Sequence, residues 1–149
     1  MVNLSTRCFW QSAVIPYLLD KGKTRVVLIT SSSLKNWVIP KGLIEPGMTP
    51  EDSAAKEAFE EAGVIGRVSK MQVAQYEYKK WGGICHVKVF PLEVTKVLVS
   101  WEEMDRRSRV FVDIPSAIKL AKSELKAVLE NFQNLSSVQE RSRTYRRKQ

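Results

Sequence analysis

The chain has one histidine and two cysteines among its 149 residues, and no apolar run long enough to cross a bilayer. Each scarcity narrows the chemistry. Cys8 and Cys85 lie far apart with no metal-ligand spacing. Both fall in apolar, strand-like runs where a thiol serves as a small core side chain, so neither a disulfide nor a redox role is expected. The N-terminal stretch is broken by Arg7, Gln11 and Ser12 and carries no cleavage-site pattern. Neither a membrane helix nor a signal peptide is therefore expected, and the cytoplasm is the expected compartment. Acidic residues are also in short supply: 16 Asp and Glu face 24 Lys and Arg, for a net charge of +8. That balance favours polyanionic partners. Half of the excess lies in residues 138–149, where Arg141, Arg143, Arg146, Arg147 and Lys148 oppose Glu140. With 44% hydrophobic and 27% charged residues, the chain suits one globular domain with a real core.

Residues 8–19 and 24–30 are apolar and β-branched, and Asp20, Lys21, Gly22 and Lys23 between them are turn chemistry, which predicts a hairpin. Pro16 predicts an edge or a bulge in its first strand. Residues 67–78 and 84–99 read as two more strands, with Pro91 marking a bulge in the second, and residues 110–112 as a short one. Thr49, Pro50, Glu51 and Asp52 have the pattern of a helix start and Gly63 that of a stop. Ala55, Ala58, Phe59 and Ala62 then form its apolar stripe. Pro115 opens a last helix through Asn131. Beyond Asn134 the chain is polar and basic without apolar period, which predicts a domain over residues 1–134 and a disordered basic tail over 135–149. Strands on both sides of one helix, with another helix at the end, predict an α/β (α+β) fold: a mixed sheet between helices.

Glu57, Glu60 and Glu61 crowd three negative charges at i, i+3 and i+4 of the first helix. Such a cluster is ordinarily the wet side of an amphipathic helix. Here like charges repel at helical spacing, only Lys56 offers Glu60 a local counter-charge, and the carboxylates occupy turns where the helix dipole disfavours anions. A glycine-bearing loop leads directly into that helix. A hard divalent cation such as Mg²⁺ accounts for all of this, because it takes carboxylate and carbonyl oxygens.

Laid out in order, residues 42–64 resemble the signature box of the Nudix hydrolases, with Gly42, Glu57, Glu60, Glu61, Gly63 and Val64 at matching positions. Two positions depart from it: Met48 stands where the box has glutamate and Lys56 where it has arginine. In the family that pair braces the loop against the helix, and both partners are changed together here. Ser31, Ser32 and Ser33 before Trp37, and Trp101, Glu102 and Glu103 before an arginine cluster, look like the diphosphoinositol polyphosphate and diadenosine polyphosphate hydrolase branch.

The resemblance implies an α/β/α sandwich and a Mg²⁺-dependent pyrophosphohydrolase, Mn²⁺ being an alternative cofactor. Its substrate would be a nucleoside polyphosphate, a dinucleoside polyphosphate or a diphosphoinositol polyphosphate. It implies Gly42, Glu57, Glu60 and Glu61 as metal ligands and Glu61 as general base, with Glu102 or Glu103 as the alternative base. For the phosphate chain, Lys35, Lys41, His86, Lys88, Arg106, Arg107 and Arg109 are the candidate cations, and Ser32 and Ser33 the candidate hydroxyl donors. Trp37, Tyr76, Tyr78, Trp81 and Trp101 are candidates for stacking a base, against the commoner role of packing. Two rival functions remain open at this point: an RNA 5′-end pyrophosphohydrolase with nucleic acid held by the basic tail, and a binding module that has lost catalysis through Met48.

Overall fold

A computed structural model describes residues 7–148, with side chains through Ser136. Eight strands form one sheet: β1 (Arg7–Asp20), β2 (Lys23–Thr30), β3 (Trp37–Val38), β4 (Lys41–Leu43), β5 (Val64–Val68), β6 (Ala74–Lys80), β7 (Gly83–Val97) and β8 (Arg109–Asp113). Helix α1 (Pro50–Ala62) packs on one face, and α2 (Ile114–Leu120) with α3 (Ser123–Lys148) on the other. This is the mixed sheet between helices that the pattern predicts. The parallel pair is β1 with β7, and every other ladder is antiparallel.

Strand alternation divides the core. Ala13, Ile15, Val87 and Val89 face α2 and α3, where Leu125, Leu129 and Phe132 cover them. Val14, Phe90 and Leu92 face α1, which meets them with Ala54, Ala58 and Ala62. Alanine at those three positions brings the helix backbone close to the sheet, and a larger side chain would hold it off. That close approach also corrects the expected stripe. Phe59 is exposed, while Ala54 and Glu61 are buried.

β1 and β2 form the expected hairpin, but Pro16 is neither on an edge nor in a bulge. β1 pairs β4 over residues 11–13 and β2 over residues 17–20, and Pro16 falls in the gap between, where its missing N–H removes no rung on that side. Pro91 occupies the equivalent gap on β7, between the pairing with β6 and the pairing with β5. The bulge of that strand pair lies at Ile65 and Gly66. The single strand predicted over residues 67–78 is two strands, because β5 and β6 pair different parts of β7.

The single helix predicted from Pro115 is also divided. Ala121 adopts an extended conformation and bridges Trp37, and the Lys122 N–H donates to the Trp37 carbonyl at 3.0 Å. A backbone bond to β3 thus replaces one helical turn and swings Lys122 toward the sheet edge. α3 runs on through Lys148, so no end of an element marks the expected boundary after Asn134. The side chains of the basic tail, and the role expected of them, lie outside the described residues. Cys85 is buried as expected, whereas Cys8, at the start of β1, is exposed. No helix among the described residues is long and apolar enough to cross a membrane.

Candidate functional site

β1 exchanges β4 for β2 along its length, and the sheet opens between those two neighbours. α1 starts and stops so as to present its glutamates there. Thr49 Oγ1 accepts from the Asp52 N–H at 3.1 Å, and Gly63, at φ 66°, ends the helix in the left-handed region. A Cβ at Gly63 would also strike Trp101 and the Arg109 guanidinium, so glycine is required twice over. At Gly42 a Cβ would overlap the carboxylate of Glu57. The glycine that opens the loop is therefore what lets Glu57 lie against the β4 backbone.

The opening is a cavity of about 710 Å³ whose lining includes Glu57, Glu61, Gly42, Lys41, Arg107, Ser32 and Ser33. Glu61 is only 6% exposed and shares a hydrogen bond with Glu57. Burial first, and then that bond, push the Glu61 carboxyl up to about 9, so Glu61 carries the shared proton. Burial raises Glu57 as well. Glu61 Oε1 further accepts from the Lys41 N–H at 3.4 Å and lies 3.8 Å from Arg107 Nη2. Ser12, directly opposite Gly42 in the β1–β4 ladder, is fully buried, and its hydroxyl has no hydrogen-bond partner among the described residues.

Glu60 turns the other way. Its carboxylate pairs with Lys56 Nζ at 3.1 Å, and Lys56 also binds Glu45 of the loop at 2.8 Å. Loop and helix are thus braced by Glu45 and Lys56, with Met48 taking no part in that pair. These two carboxylates hold the Lys56 ammonium above its ordinary range.

The arginine cluster separates into three environments. Arg107 is held by Glu103 at 2.9 Å and by the Thr30 carbonyl at 2.9 Å, beside Glu61. Arg109 donates to the Ala62 and Leu98 carbonyls at 2.9 and 2.6 Å, and its guanidinium lies 4.0 Å from the Trp101 ring centroid. It thereby satisfies the C-terminal end of α1, where a cation suits the dipole. Arg106 is exposed. Trp101 Nε1 donates to the Glu61 carbonyl at 3.0 Å, which gives this ring a bracing contact. Of the two alternative bases, Glu103 is tied to Arg107 and to the Glu60 carbonyl through its own N–H, while Glu102 is exposed.

His86 and Lys88 alternate with the buried Val87 and Val89, which places them on the α1 face of β7 and outside the cavity lining. His86 bonds Glu77 at 2.9 Å and stacks on Trp10, and the Lys88 ammonium lies over the same Trp10 ring. Lys35 is exposed and also lies outside the lining. Conversely, the cavity contains cations that sequence reasoning passed over: Lys79 and Lys80 at the end of β6, and Lys122 between α2 and α3. The Lys80, Trp81, Gly82, Gly83 turn was the available signal for Lys80. Nothing local marked Lys122.

Among the described residues no group of three or more His, Cys, Asp or Glu is gathered closely enough to hold a metal. The donor chemistry nevertheless suits a hard cation. A buried and a half-buried carboxyl that share one proton, beside a glycine backbone, offer oxygens only, and a dication would relieve their repulsion as the proton does.

A family model for the NUDIX domain matches residues 10–132. The mitochondrial Nudix hydrolase 13 of Arabidopsis thaliana is 31% identical over 144 residues, covering 81% of this chain and 71% of its own. Diphosphoinositol polyphosphate phosphohydrolase 2 of Rattus norvegicus is 32% identical over 99 residues, covering 64% of this chain and 53% of its own. In fold, the chain is similar to a C. elegans Ap4A hydrolase binary complex, with a TM-score of 0.73, 21% identity and coverage of 87% of this chain and 98% of that one. With Glu57 and Glu61 of its box lining an open cavity and its matched segment spanning both faces of the sheet, the chain belongs to the Nudix family.

Proposed function

We propose that the protein is a divalent-cation-dependent pyrophosphohydrolase that splits a phosphoanhydride bond in a nucleoside polyphosphate, a dinucleoside polyphosphate or a diphosphoinositol polyphosphate. The observation that carries this reading is the hydrogen-bonded Glu57 and Glu61 pair beside Gly42, in a cavity whose lining also includes Lys41, Lys79, Lys80, Lys122 and Arg107. Glu57, Glu61 and the Gly42 carbonyl would hold the cation, with Glu60 joining them on release from Lys56. When bound there, Mg²⁺ or Mn²⁺ would supply the positive charge that neutralises phosphate oxygens and the leaving phosphate. Glu61 is the proposed general base, accepting the proton of the attacking water at its carboxylate once the shared proton has gone. Arg107, 3.8 Å away, favours that ionised form and keeps the side chain aimed into the cavity. Lys41, Ser32 and Ser33 are proposed to bind the phosphate oxygens.

The test is product release from diadenosine tetraphosphate, diphosphoinositol pentakisphosphate and 5′-triphosphorylated RNA, with Mg²⁺, with Mn²⁺ and with chelator. Cation-dependent turnover of one of the first two is expected. Turnover of RNA alone would redirect the proposal to RNA ends. The absence of turnover in every case would leave a binding protein.

A further inference from the structure

The cationic side of the cavity poses the same physical question as the acidic side. Lys41 comes from β4, Lys80 from the end of β6 and Lys122 from the break between α2 and α3, and all three line the one cavity. Three distant parts of the chain therefore deliver like charges to one place, an arrangement that costs stability unless an anion enters. Glu124 pairs with this group, 3.1 Å from Lys122, and Glu61 acts on Lys41 from the acidic side.

The aromatic rings of this wall are already engaged. Lys41 Nζ lies 5.0 Å from the Tyr78 ring centroid, and Lys80 Nζ lies 4.6 Å from that of Trp81. The Tyr78 hydroxyl donates to Gln11 at 2.6 Å, and Phe9 meets Trp81 edge-on at 5.3 Å. A base stacking on either lysine-covered face would first have to displace a cation. The mount is also stiff. Trp81 and Gly82 both have positive φ, at 54° and 68°, in a two-residue hairpin turn that joins the paired Lys80 and Gly83. A bulky residue held in the left-handed region fixes the end of β6, and Lys80 with it.

We propose that Lys41, Lys80 and Lys122 form a second anion subsite that reads phosphate groups other than those flanking the cleaved bond, so that the protein selects ligands by phosphate number and not by a base. This rests on the reading above, that the cavity binds a phosphoanhydride substrate, and deepens it. A ligand with many phosphates around a compact, base-free centre satisfies all three ammonium groups together, whereas a two-phosphate ligand reaches the acidic side alone.

Calorimetric titration tests this without turnover, using inositol hexakisphosphate as the many-phosphate probe and ADP-ribose as the two-phosphate probe that carries a base. At physiological salt, Lys80→Ala and Lys122→Ala should each weaken the first probe about tenfold, and the double variant about a hundredfold. ADP-ribose should change less than about threefold. Glu124→Gln, which removes the counter-charge, should tighten inositol hexakisphosphate. Lys96→Ala, which removes one positive charge on the exposed part of β7, should leave both probes unchanged. Equal weakening of the two probes, unaltered binding in the double variant, or a Lys96→Ala effect as large as that of Lys80→Ala would overturn the subsite. A protein that hydrolyses nothing but still loses inositol hexakisphosphate through these lysines would sink the hydrolase reading and keep the subsite.

Discussion

The two sides of the cavity both crowd like charges, and they meet the cost by different means. On α1 Glu61 is buried and Glu57 half-buried, so the repulsion is relieved by a proton shared between them and by Arg107. On the opposite wall Lys41, Lys80 and Lys122 are gathered from three parts of the chain. Burial and the neighbouring Lys80 hold the Lys41 ammonium below its ordinary range, and the faces of Tyr78 and Trp81 soften the repulsion. A carboxyl can neutralise itself near neutral pH by taking a proton, because its ordinary value lies only a few units below. A lysine, whose ordinary value lies well above, waits for an anion. On the proposed reading, the acidic side would take a cation and the basic side phosphate.

The comparison breaks first at the acidic pair. Glu57→Gln or Glu61→Gln should lower kcat by about a thousandfold, because a carboxylate lost from the reacting centre removes transition-state stabilisation. Urea denaturation should show both variants folded. Full activity in both would place the chemistry elsewhere. Next in size is Arg107→Ala, which leaves Glu61 and Glu103 without their shared partner in a largely buried setting. It should destabilise the fold by about 3 kcal/mol in the same denaturation experiment.

A pH series without divalent cation sharpens the contrast further. Unfolded Glu61 titrates near the ordinary value of 4.5 and folded Glu61 near about 9, so protons favour the folded state. The resulting stabilisation is complete below pH 4.5 and is lost as the pH rises through 9. Glu61→Gln should flatten that decline and raise Tm by about 5 °C at pH 9. A wild-type Tm constant across the range would contradict the shared proton. The smallest effect belongs to the exposed brace. Met48→Glu with Lys56→Arg should shift Tm by about 1 °C and leave turnover unchanged, since Glu45 already supplies the partner. A large loss of activity would show that the loop depends on Lys56 itself.

Much of this arrangement was legible locally. The first hairpin, the ends of α1 and the glutamates at i, i+3 and i+4 follow from turn residues, caps and spacing, each set within a few residues. The misreadings have one cause. Pro16 and Pro91 read as irregularities in the sequence because a sequence does not show where a long strand exchanges partners. The last helix was read as continuous because the bond from Lys122 to Trp37 joins residues far apart in the chain. Phe59 looked like core because the stripe was placed by hydrophobicity, while the close packing of Ala54 and Ala58 against Val14 and Phe90 set the rotation of the helix.

The sequence by itself determined that α1 forms, where it stops and that three carboxylates sit along it, because hydrogen bonds and dipoles within one helix act between near neighbours. Tertiary structure alone decided that Glu61 is buried while Glu60 is not, that Glu45 of the loop joins Lys56, and that Lys80 and Lys122 face the same opening. Burial and Coulomb interactions depend on distance through space, and that distance is fixed only when β1, α1 and α3 have packed.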